Sequence, residues 1–84
     1  MSKSLMAKYL ISDLFSRAPQ HTWLTNEEIY DRIYDSSDVT FKTVQNVTSG
    51  LKAFGGLRSK RVGNTLSYTR TSRVAVESAK AYQF

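Results

Sequence analysis

The spacing of apolar residues changes at Gly55-Gly56. Before this pair, apolar side chains recur every three to four positions, the period of a helix buried on one side. From residue 57 to 70 they alternate, the period of a strand with one covered face. One late switch of this kind predicts helices first and a hairpin after them. Eighty-four residues leave room for a single domain that buries roughly 60 to 65% of its unfolded surface.

Local signals divide the helical part. The first helix is predicted over residues 3 to 17, with Met6, Leu10 and Leu14 as a stripe at spacing four. Leu5, Tyr9, Ile11 and Phe15 widen its apolar surface until two covers are needed, the core and either the C-terminal helix or a second copy of the chain. Pro19 ends it. Thr25-Asn26-Glu27-Glu28 is a capping box opening a second helix over about residues 26 to 35, with Ile29 and Ile33 inward. Asp35-Ser36-Ser37-Asp38 is a turn-forming break. A third helix runs from about Thr40 to Phe54, with Phe41, Val44, Val47 and Leu51 on one stripe, and Gly55-Gly56 stops it. Gly50 and Ala53 point away from that stripe. They leave room for a close backbone approach, or Gly50 marks a kink or early end.

Gly63-Asn64, with glycine first, suits a type II′ turn. It pairs Val62 with Thr65, Arg61 with Leu66 and Ser59 with Tyr68. Leu57, Leu66 and Tyr68 then share an inner face, and Arg58, Lys60, Ser67 and Thr69 an outer one. A last short helix is predicted from Ser72 to about Tyr82.

Charge is distributed unevenly over this plan. Residues 40 to 73 carry seven basic side chains and no acidic one, residues 1 to 39 four basic and six acidic, and the last eleven balance; the excess of +5 therefore belongs to the third helix and the hairpin. A cationic helix beside a cationic hairpin suits a polyanion, duplex DNA first. The acids, by contrast, stay off the basic segment. Glu27, Glu28 and Asp31 complement the dipole of the second helix and are not a catalytic pair.

The order helix, short strand, helix, turn, helix, hairpin resembles the winged helix-turn-helix superfamily. The residues that carry the likeness are Trp23 to Ile29, the Phe41/Val44/Val47/Leu51 stripe, Gly55-Gly56-Leu57 and the hairpin from Arg58 to Arg70. The resemblance implies a mainly α fold with a three-helix core and a two- to three-stranded wing. It also implies that the third helix enters the major groove while the wing meets the backbone or the minor groove.

With Val44 inward, Lys42, Asn46, Ser49 and Ala53 point outward, with Thr43 and Gln45 on the flanks. Asn and Gln pair bidentately with adenine and Lys reaches guanine. Lys52, Arg58, Lys60, Arg61, Arg70 and Arg73 complete the expected set, suited to phosphate or a narrow minor groove. Five to seven such contacts give a salt slope of roughly −4 to −6. The expected function is sequence-selective DNA binding by a small transcriptional regulator, as a homodimer through the first and last helices, without a small-molecule effector. The alternative is a protein-docking module of a larger assembly, or one that captures a host factor; RNA binding ranks third, for want of exposed aromatic platforms.

Other classes find little support. Without cysteine there is no disulfide or thiolate site, and His21 alone builds no zinc centre. No motif suggests an enzyme or a cofactor. The sequon at Asn46-Val47-Thr48 is read as chance, and Trp23 as a core or rim anchor. Lys8 and Asp13 interrupt the only apolar stretch near the N-terminus, so neither a signal peptide nor a membrane span is expected and a cytoplasmic protein is.

Overall fold

In the computed structural model, residues 3–34, 39–72 and 76 are described. Three helices and a three-stranded antiparallel sheet follow the order α1 (Lys3–Arg17), β1 (Leu24–Thr25), α2 (Asn26–Ile33), α3 (Phe41–Phe54), β2 (Leu57–Val62) and β3 (Thr65–Arg70). The sheet order is β1-β3-β2. The expected break at residues 35 to 38 lies outside the described residues. So does the last helix, save that Val76 is helical, buried, and donates its N–H to the Ser72 carbonyl. No helix among the described residues is long and apolar enough to cross a membrane.

Caps set the helix ends where the sequence puts them. Thr25 accepts from the Glu28 N–H at 3.1 Å while the Glu28 carboxylate accepts from the Thr25 N–H at 2.9 Å, a reciprocal box. Thr40 caps α3 by accepting from the Thr43 N–H at 3.2 Å. Gly55 closes α3 at φ 102°, a left-handed position that suits glycine. The helix passes through Gly50 without ending, which removes the early-stop reading.

Of the wide apolar girth expected for α1, the core takes one side. Ala7, Ile11 and Phe15 are fully buried, whereas Met6 is 38% and Tyr9 54% exposed and Leu10 and Leu14 are only partly covered. Two apolar sets at helical spacing compete for the core, and Ile11 and Phe15 win because their side fits against α3, the helix that α1 meets most. Lys8 and Ser12 are carried inside on the flanks of that face. Burial strips water from the Lys8 ammonium and lowers its pKa below the ordinary 10.5.

The core joins Ala7, Ile11 and Phe15 to Ile29 and Ile33 of α2, Val44, Val47 and Leu51 of α3, and Leu24, Leu57 and Tyr68 of the sheet. Phe41 is only half-buried and meets Tyr30 edge-on, ring centroids 6.0 Å apart. Thr48, unremarkable in the sequence, is fully buried. Its hydroxyl donates to Asn26 Oδ1 at 2.8 Å, pinning α3 to the first residue of α2.

The hairpin register is the expected one: Val62 opposite Thr65, Arg61 opposite Leu66, Ser59 opposite Tyr68. Gly63 takes φ 63° and Asn64 stays out of the positive region, as a type II′ turn requires. Leu57 and Tyr68 are buried and Leu66 packs on the core. Thr69 keeps its outer-face place opposite Arg58 but is buried there, because β1, which aligns Leu24 with Tyr68, brings the chain at Trp23 alongside it. Thr71 ties the hairpin base to the end of α3, its hydroxyl donating to the Gly55 carbonyl at 2.7 Å and its N–H to the Gly56 carbonyl.

Candidate nucleic-acid interface

The solvent face of α3 follows from its buried one. With Val44, Val47, Thr48 and Leu51 turned inward, Lys42, Gln45, Asn46, Ser49, Lys52 and Ala53 are exposed. Thr43 is half-buried and its hydroxyl lies 3.0 Å from that of Thr40, so it serves the helix cap first. The exposed set contains no carboxylate and no large apolar group. Phe54, at the helix end, is 43% exposed.

One edge of this face opens into a groove of about 340 Å³. Gln45 and Phe41 of α3 form one wall, Asn26 and Glu27 of α2 another, and Arg61 with Asn64 of the hairpin the third. Helix and hairpin thus contribute to one concavity, through Gln45 and Arg61.

The hairpin cations do not all face it. Residues along a strand alternate sides, and Arg61 shares the inner side with Leu66. Arg58 and Lys60 stand on the opposite side. The Lys60 ammonium lies 4.3 Å from the centroid of the Trp23 ring, a cation–π contact that partly occupies it. Arg70, opposite Leu57, is half-buried, and its Nε is closed to solvent with no hydrogen-bond partner among the described residues. Arg73 lies outside the described residues. Of the described cations, Lys42, Lys52 and Arg61 stand around the helix and its groove, Arg58 and Lys60 on the other side of the hairpin, and Arg70 at its base.

The acids of the front half are not all remote either. Glu27, distant in sequence from the basic segment, is exposed and lines the same groove as Gln45 and Arg61. The expectation that the acids stay off the basic surface fails at this one side chain. Nothing local in the sequence signals it, because only the packing of α2 on α3 brings Glu27 there. Glu27 and Arg61 make no ion pair with each other or with another described residue. Among the described residues no group of three or more His, Cys, Asp or Glu is placed to hold a metal ion.

No protein-family model, curated protein or solved structure matches this chain.

Proposed function

We propose that the chain is a winged helix-turn-helix protein that binds duplex DNA sequence-selectively, as a small transcriptional regulator. The observation that carries this is the convergence of Gln45 and Arg61, from helix and hairpin, on one groove beside an exposed helix face free of acids. A helix of this kind fits a major groove, with Asn46 and Gln45 able to pair with adenine and Lys42 with guanine. Arg61, Arg58 and Lys60 follow on the hairpin for the backbone or the minor groove. With three to five cations at phosphates, log affinity falls with log salt at a slope of about −3 to −4.5. Selection from a random duplex library at two salt concentrations tests this: an enriched motif supports the reading, and recovery without enrichment or salt dependence contradicts it.

One such unit covers a small footprint, roughly 600 to 1,000 Å², so selectivity favours two copies on two half-sites. The surface for a second copy is the apolar stripe of α1 left outside the core: Met6 and Tyr9, running into a groove of about 210 Å³ lined by Leu10, Leu14 and Ile33. Asp13, Arg17 and Arg32 rim it, with Asp13 and Arg17 paired to each other at 3.0 Å. Sedimentation at high micromolar concentration is expected to find a dimer, and a lone 9.5 kDa species contradicts it.

Val62, 61% exposed at the hairpin tip, favours the alternative of a protein-docking module, since apolar anchors centre protein interfaces. Binding to a protein partner that is lost in Val62→Ser while duplex binding is absent throughout would favour that alternative.

A further inference from the structure

Resting on the duplex-binding reading, we propose that Glu27 sets base preference in the groove, by accepting a hydrogen bond from the exocyclic amino group of a cytosine. The side chain is free for this. Glu28, not Glu27, closes the capping box with Thr25, and Glu27 makes no ion pair among the described residues. It stands exposed beside Gln45 and Arg61, the two side chains by which helix and hairpin meet.

An ionised carboxylate only accepts. Whatever occupies the space before Glu27 presents a donor, and a phosphate, which carries none and is negative, is turned away. Along the major-groove edge the donors are the amino groups of cytosine and adenine. In an A·T pair that amino group lies between two acceptors, adenine N7 and thymine O4, and both oppose a carboxylate. In a C·G pair it has an acceptor on one side only, guanine O6. The charge that looks misplaced on a cationic surface thereby sharpens it: a carboxylate lowers affinity for DNA in general and spares one base pair.

The test compares the unmodified chain with E27Q and E27A by random-duplex selection, then by titration of duplexes differing at the selected pair. Thermal melting confirms that each variant folds. The unmodified chain is expected to enrich a cytosine at one position. E27Q carries a donor beside its acceptor and shifts that preference toward adenine, while E27A loses it, with discrimination falling about ten-fold or more. Both variants bind unrelated duplex more tightly than the parent. An unchanged motif with a uniform gain in affinity for all sequences overturns the assignment and leaves DNA binding standing. Failure of the unmodified chain itself to bind duplex removes the functional reading, and this inference with it.

Discussion

Gly50 occupies the interior of α3, where glycine costs about 1 kcal/mol relative to alanine. A Cβ added there meets nothing within 4 Å. Gly50→Ala is therefore expected to raise stability by about 0.5 to 1 kcal/mol in denaturant titration. Lys8 has a different signature. Its folded-state pKa lies below 10.5 because burial strips its water, so as pH approaches 10.5 the unfolded chain holds more of that proton than the folded chain does. Protonation then opposes folding, and that penalty fades as pH rises toward 10.5. Lys8→Met has no such group. As pH rises toward 10.5 the parent should gain stability relative to this variant, and a difference independent of pH contradicts the account.

At the scale of elements, α1 provides the sharpest check on the packing. Ile11→Ala opens space in a fully buried site and is expected to cost about 2 to 5 kcal/mol. Met6→Ala, at a site 38% exposed, should cost less than about 1 kcal/mol. Equal losses in chemical denaturation would contradict the packing of α1 through Ile11 and Phe15. The hairpin separates two kinds of cation. Arg61→Ala should weaken binding to all duplexes and flatten the salt slope by about one unit. Lys60→Ala should do so less, since its ammonium already rests on Trp23. Anisotropy titrations over a salt series measure both. Element ends were legible because caps are local: Thr25 with Glu28, Thr40, and Gly55 each satisfy backbone groups within a few residues. The hairpin register was legible because a two-residue turn dictates it. The buried side of α1 was not, since both of its stripes obey the helical period and Lys8 lies on the flank that went inside.

For the whole molecule, the solvent face of α3 could be read from the sequence, because burying Val44, Val47 and Leu51 leaves only one side for Lys42, Asn46 and Ser49. Three features of the candidate site could not. Glu27 reaches the groove through the packing of α2 on α3, which the Thr48–Asn26 hydrogen bond fixes. Lys60 meets Trp23 only because β3 lies between β1 and β2. Arg70 is half-buried, with its Nε closed to solvent, because it pairs opposite Leu57. Each depends on contacts between segments far apart in the chain, and net charge by segment carries no such information. The central claim is that the exposed side of α3 and the groove it shares with Arg61 form the surface that meets duplex DNA. Amide-shift mapping of the labelled chain on adding a selected duplex tests it most directly. The largest changes are expected at Lys42, Gln45, Asn46, Ser49 and Arg61, with Met6 and Tyr9 little affected. Changes confined to the Met6 and Tyr9 side, or none at saturating duplex, would contradict it.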